Sequence, residues 1–416
     1  MTVAPEIKKR EEVSANRQDF LKSFVLLGLM AFLLVDNGLR LIYMSGTREH
    51  NALNFSPLKV SHRSWVYWNY KDLVDASGSA QKPQIAIFGS SLMMAALHGG
   101  DAVYTGLPQN VVIHHRSKLF KDLVKKQTGA TVDNFAFALG GEMVSDAYVL
   151  LAQMLEQKEH PRCLIYGIAP RDFTDNTLPS VASTEIYKYA ERLTDLSSLD
   201  MEARPSLAAK AEYYLGKICF IYGHREDLLY IQHHWAQSLA KKLLGYKNVE
   251  LNITPLHIRR QAFLELPEDC AVNEGFVTPP KVEQEPYIDN TAEYRGRYRK
   301  INAKQFALQM QYLERILTLA QKNKIEVILV NMPLTSENIS LMPANFYSDY
   351  LKQVQTLAKR DGCTLVDLNS ASLFPKNKFA DSVHLNNRGG KHFFEVLVKE
   401  LAQDVNTRKM LTGANQ

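Results

Sequence analysis

A serine, an aspartate and a histidine stand in this chain where a hydrolytic triad would need them. In IAIFGSSLMMAAL, residues 85–97, an apolar run ends in a glycine and two serines and passes directly into a helical pattern, so Ser91 falls at a strand-to-helix turn. Far downstream, DSVHLNNRGG (381–390) sets Asp381 three residues before His384, again just ahead of an apolar helical run. A serine hydroxyl is a poor nucleophile until a base takes its proton, and that base works best when a carboxylate fixes its tautomer. On a turn that opens a helix, residues three apart face the same side, so Asp381 can hold one ring nitrogen of His384 while the other faces Ser91. The chemistry would be attack on an ester carbonyl. Each residue also has a plainer reading: Ser91 as a helix N-cap, Asp381 as the cap of the final helix, His384 as an ordinary surface or core histidine.

Such an attack needs donors for the oxyanion. The Ser91 amide would lie at the positive end of a helix. In ALGGEMVSD (138–146) Gly140 and Gly141 either bring a further N–H close to a ligand or only make a turn. YGIAPRDFTDN (166–176) offers Arg171 and Asp172 as substrate contacts, or as a surface ion pair, and Asn176 as another polar group within reach. His114–His115 and His233–His234 are adjacent, so on regular structure they diverge and make poor metal ligands. Cys163, Cys219, Cys270 and Cys363 lie far apart, without a C-x-x-C pair. No Walker A loop, G-x-G-x-x-G or H-E-x-x-H is present, and neither a metal nor an organic cofactor is expected.

Groups of this kind collect where the strands of an open parallel sheet give way to loops. QIAIFG (84–89), TVDNFAF (131–137), RCLIYGIA (162–169), IEVILVNMP (325–333) and TLVDLNS (364–370) read as buried parallel strands. Helical spacing marks 142–158, 302–323, 346–362 and 391–404. The alternation predicts an α/β fold, three-layered α/β/α with a parallel five-stranded sheet. The stretch 173–299 breaks the rhythm, is too long for a loop, and reads as a mainly helical insertion.

The N-terminus reads as an uncleaved membrane anchor, with a cleaved signal peptide or an interfacial or buried helix as the other readings. From Ser23 to Met44 the chain is mostly apolar, and a helix of that length reaches about 33 Å, enough to cross a bilayer. Asp36 and Arg40, four apart, can pair on one face or sit among headgroups. Lys8, Lys9, Arg10, Arg17 and Lys22 precede it, so the bias of basic residues places the tail in the cytoplasm and the chain after Met44 outside. The expected organisation is tail 1–22, anchor 23–44, connector 45–82, first half of the α/β domain 83–172, insertion 173–299, second half 300–405 and tail 406–416. The 49 basic residues are scattered among 44 acidic ones without a basic stripe, which argues against nucleic acid as a partner.

The blocks around Ser91, Gly140 and His384 resemble the SGNH or GDSL hydrolase superfamily, whose signature is Gly-Asp-Ser after the first strand, Gly after the second, Asn after the third, and Asp-x-x-His near the end. The resemblance covers about 83–172 and 300–405. It implies Ser91 as nucleophile, His384 as base, Asp381 as its orienter, and the Ser91 and Gly140 or Gly141 amides as oxyanion donors. Ser90 stands where the usual Asp precedes the nucleophile, and GIAPRDF replaces the block that carries the Asn donor. With the anchor, these departures are similar to SGNH-like proteins of envelope polymer acylation, in alginate O-acetylation and teichoic-acid D-alanylation. They imply a serine esterase or O-acyltransferase acting outside the cytoplasmic membrane on a polysaccharide or other acylated polymer. The alternative is a catalytically silent scaffold that binds polymer or a membrane-bound acyltransferase.

Overall fold

The structure is a computed structural model. It describes residues 24–44, 84–225 without 112, 113, 157–159, 176, 179, 194 and 195, scattered positions of 228–243, then 277–281 and 286–413. The expected connector around SWVYWNY (64–70), His233 and His234, Cys270, Asn176 and the N-terminal tail lie outside the described residues. The chain divides into two compact units, one within Met1–Pro57 and Ser206–Thr254, the other within Leu58–Pro205 and Pro255–Gln416.

The first unit holds helix α1, Phe24–Met44, whose stretch 24–42 has a mean hydropathy of 1.9 and is long and apolar enough to cross a membrane.

The second unit is built on β1 (Ile85–Gly89), α2 (Ser91–Thr105), β2 (Gln109–Asn110), α3 (Lys118–Thr128), β3 (Asn134–Ala138), α4 (Val144–Glu156), β4 (Cys163–Ile168), α5 (Arg171–Thr174) and α6 (Glu185–Leu193). Past the first unit's α7 (Leu207–Ile218) and α8 (Phe220–Gly223), it resumes with β5 (Val277–Thr278), α9 (Thr291–Tyr298), α10 (Ala303–Lys322), β6 (Glu326–Asn331), α11 (Ser336–Ser340), α12 (Phe346–Arg360), β7 (Thr364–Asp367), α13 (Asn387–Gln403) and α14 (Val405–Thr412). Five strands form one parallel sheet in the order β3-β1-β4-β6-β7. Both sides of β1, β3 and β4 are buried throughout, which is why those strands read as unbroken apolar runs. Helices α2, α3 and α13 pack together on one face, and α4 and α10 together on the other, giving three layers in a doubly wound order. The expected α/β class and all five strands are present. The two-residue pair β2–β5, antiparallel, was not expected, being too short to leave a pattern.

The segment expected as a single insertion is shared between the units. Its ends join the sheet unit because Phe173, Ile186, Tyr187, Tyr294 and Tyr298 are buried there, whereas 206–254 belongs with α1.

Two helices bring the distant motifs together by touching backbone to backbone. Helix α2, which starts at Ser91, and α13, which follows the His384 turn, make the largest helix–helix contact among the described residues. A Cβ on Gly390 would lie 2.5 Å from the Ala96 carbonyl oxygen and 2.9 Å from the Gly100 nitrogen, and one on Gly100 would lie 3.0 Å from the Gly390 carbonyl carbon. Gly389 meets the Lys378 carbonyl just as closely. Only glycine allows this approach, since the obstructing atoms are main chain and cannot turn aside. Gly390→Ala should therefore cost about 1–3 kcal/mol of stability and separate the two motifs; thermal unfolding and ester turnover of the variant, measured together, should both fall.

Candidate active site

β1 ends at Gly89, where a Cβ would sit 2.7 Å from Met93 Cβ and 3.0 Å from the Gly167 carbonyl oxygen, so the strand can enter α2 at this sharp angle only through glycine. Ser90 is the N-cap residue but makes no capping bond with its side chain. Ser91 is the first residue of the helix, and its amide has no intrahelical acceptor. Its hydroxyl is therefore not a cap. It donates to His384 Nε2 at 2.9 Å, and His384 Nδ1 donates to Asp381 Oδ2 at 2.7 Å. The carboxylate partner sets this tautomer. The His384 side chain is 27% exposed, so the arrangement opens to solvent.

The turn that carries Asp381 and His384 is itself held from several sides. Asp381 Oδ1 accepts from the Val383 and His384 amides at 2.8 and 2.7 Å. Burial raises the Asp381 carboxyl, but the bond and charge of His384 and these amides outweigh it and leave the group below its usual range. Ala380 N–H donates to the His384 carbonyl at 2.8 Å, and a bridge joins Phe379 to Leu385. Between the two functional residues, Ser382 is fully buried. Its amide and hydroxyl donate to Asn290 Oδ1, its hydroxyl accepts from Asn338 Nδ2 at 3.1 Å, and its carbonyl accepts from Thr335 Oγ1 at 2.8 Å. Asn386 then caps α13 by accepting from the Gly389 amide at 2.8 Å. Asn290, Thr335 and Asn338 are supports that sequence reasoning missed; Asn338 is buried, and its amide donates to Thr335 Oγ1 at 3.2 Å.

Gly140 and Gly141 follow β3, whose last residue Ala138 pairs with Gly89. Leu139 N–H donates to the Gly89 carbonyl at 2.9 Å, so the glycine turn is pinned to the strand end that leads into Ser91. Gly141 has φ +84°, a conformation that favours glycine, and among the described residues neither glycine amide has a hydrogen-bond partner. These, with the Ser91 amide, are the donors that the sequence reading expects for an oxyanion. Asn176, the other residue considered for that role, is not described.

Arg171 and Asp172, expected to meet substrate, are turned inward instead and are 6% and 2% exposed. Arg171 donates to the Glu142 carbonyl at 3.1 Å and to Asp175 at 2.9 Å and lies 3.5 Å from Asp172, whose carboxylate accepts from the Ala169 amide at 2.9 Å. Desolvation explains the difference: a guanidinium with these internal partners is best kept among them. The pair braces the glycine turn from below. Around it, burial drives Glu142 well above the usual carboxyl range, with Asp146 and Asp172 adding to the rise. Burial likewise raises Asp146 to about 7, against its bonds from Thr184 and Met143, and Asp172 to about 6, against the charge of Arg171.

The other sequence candidates stay apart from this site. His114 binds Asp101, itself the acceptor for the Leu119 amide, and His115 stacks on Phe135. No cluster that would hold a metal ion is found among the described residues. Cys163 is buried in the sheet.

With this geometry established, comparison with known proteins gives three findings. One family model matches residues 280–406, the stretch that holds Asp381 and His384. No curated protein matches the sequence. Among solved structures, the chain is similar to the crystal structure of an acetyl xylan esterase, AlAXEase, with a TM-score of 0.32 and 11% identity over 75% of this chain and 97% of that one.

The buried carboxyls set a pH dependence whose sign is fixed. A group raised by folding keeps a proton that the unfolded chain has released, so its contribution is lost as pH climbs from the unfolded value of about 4 toward the folded one. Asp381, lowered, acts oppositely and only in acid. His98, held by burial down at about 4, acts oppositely up to about pH 6.5, so the carboxyls show alone above it: unfolding temperature should fall between pH 6.5 and 7.5, and Glu142→Gln should flatten that slope; a wild-type profile that rises through this interval would contradict the assignment.

Proposed function

We propose that the chain is a membrane-anchored serine esterase or O-acyltransferase of SGNH/GDSL type, working outside the cytoplasmic membrane on an acylated polysaccharide or similar envelope polymer. The observation that carries the reading is the continuous relay from Ser91 through His384 to Asp381 at 2.9 and 2.7 Å, set at a helix N-terminus. Ser91 Oγ attacks the ester carbonyl as His384 Nε2 takes its proton, and Asp381 stabilises the imidazolium that forms. The oxyanion is held by the Ser91 amide and by Gly140 or Gly141. His384 returns the proton to the departing alcohol, leaving an acyl-serine. Water or a sugar hydroxyl then repeats the sequence in reverse, giving hydrolysis or transfer.

Among the described residues Arg171 does not stand in for the missing Asn, since it is engaged with Glu142 and Asp175, and oxyanion stabilisation is assigned to the amides. The polymer substrate and the envelope location rest on the resemblance, on the departures at Ser90 and GIAPRDF, and on an apolar α1 preceded by basic residues.

A fluorophosphonate probe applied to the full chain in detergent should label wild type, and Ser91→Ala should abolish the label. Asp381→Asn should lower turnover of an activated ester on the order of 10⁴-fold. Wild type that stays unlabelled beside a reactive serine esterase would leave only a silent scaffold.

A further inference from the structure

The first unit has a surface that the proposed chemistry does not use. Helix α7, Leu207–Ile218, is twelve residues long and buries none of them. Leu207, Ala211, Tyr214, Leu215 and Ile218 recur at helical spacing and are all exposed, Leu207 at 86% and Ile218 at 73%. They form one apolar stripe, and Lys210, Tyr213 and Lys217 form a second line beside it, with the Lys217 ammonium 4.2 Å from the Tyr213 ring centroid. An apolar stripe flanked by lysines and tyrosines suits the boundary between acyl chains and headgroups.

The same unit joins this helix to α1 through the two charges that would be costly in a bilayer. Asp36 accepts from the Phe220 and Ile221 amides at 3.0 and 2.7 Å and from Cys219 Sγ at 3.3 Å, thereby satisfying the first turn of α8. Arg40 lies 3.7 Å from Asp36 and donates to the Lys217 and Ile218 carbonyls at the end of α7. One side chain thus serves the amides after the break at Cys219 and the other serves the carbonyls before it. Gly216 and Gly223 touch backbone to backbone across the break. Asp36 stands twelve positions after Phe24, about 18 Å along a helix that measures about 32 Å. The polar groups at that depth are matched within the unit and call for no second protein.

We propose that α7 is a second membrane-contacting element, lying in the outer-leaflet interface beside the anchor with Leu207, Ala211, Tyr214, Leu215 and Ile218 against lipid. This rests on the reading of α1 as a membrane span. The lysines flanking the stripe favour anionic headgroups.

The test is to reconstitute the full chain in phosphatidylcholine–phosphatidylglycerol vesicles containing a phospholipid with a photoactivatable acyl chain, and to map adducts by peptide mass spectrometry. Adducts are expected within 24–35 and within 207–218. In Leu207→Asp/Ile218→Asp the second set should fall by about tenfold or more while the first is kept, because carboxylates are disfavoured against lipid. Labelling of 24–35 without 207–218 in wild type overturns the proposal and leaves the anchor standing, as would a partner protein covering the stripe. Labelling of neither segment removes the membrane reading and the proposal with it, and an unchanged 207–218 signal in the double variant rules out the stripe as the contact.

Discussion

Ser91 and His384 meet because two helix backbones touch. Ala96, Gly99 and Gly100 of α2 and Asn387 and Gly390 of α13 come within van der Waals reach of one another's main chain, so the contact has little through which to relax. Ser91 begins one of these helices and His384 lies three residues before the other. A hydrogen bond of 2.9 Å between them tolerates little movement of either helix, so the glycine contact governs the Ser91–His384 geometry although it touches neither side chain. The sheet supplies the second constraint, since parallel pairing of β1 with β3 sets Ala138, which leads into the Gly140–Gly141 turn, beside Gly89, which leads into Ser91.

Charge is divided between an open layer and a closed one. Asp381 and His384 are partly exposed and paired, so each can change charge during a reaction. Beneath the glycine turn, Arg171 is the buried cation among Glu142, Asp146, Asp172 and Asp175. Burial makes full ionisation of that group unfavourable and raises Glu142, Asp146 and Asp172, while the charge of Arg171 opposes the rise. The arrangement holds amides in place by bonds to the Glu142 carbonyl and the Ala169 amide. Rigid amides suit oxyanion stabilisation, because donors already oriented need not reorganise as charge develops.

Much of this was legible in the sequence, and the reasons differ by residue. β1, β3 and β4 showed because strands buried on both faces are apolar along their length, and the helices because their buried faces repeat. Ser91, Asp381 and His384, which the structure brings together, stood out because polar residues beside apolar runs contrast with them. Arg171 and Asp172 were located but misjudged in role: sequence records that charges sit at a strand end, not whether they face a cavity or one another. Asn290, Thr335 and Asn338 left no signal, as each is an ordinary polar residue whose purpose depends on a turn many positions away. The glycines of α2 and α13 were visible as letters, yet only the helix crossing gives them meaning. The division of the insertion depended on a contact between Asp36 and Cys219–Ile221 that no local pattern encodes.

The central claim is that the hydroxyl of Ser91 becomes the covalent carrier of an acyl group. Rapid quench of the full chain with an activated acetyl ester, followed by peptide mass spectrometry, tests it directly. The account predicts an acetyl group on Ser91 that builds up in the first turnover and leaves faster when an alcohol acceptor is added. Steady ester turnover with no acyl group on Ser91, or with the group on another residue, would contradict it.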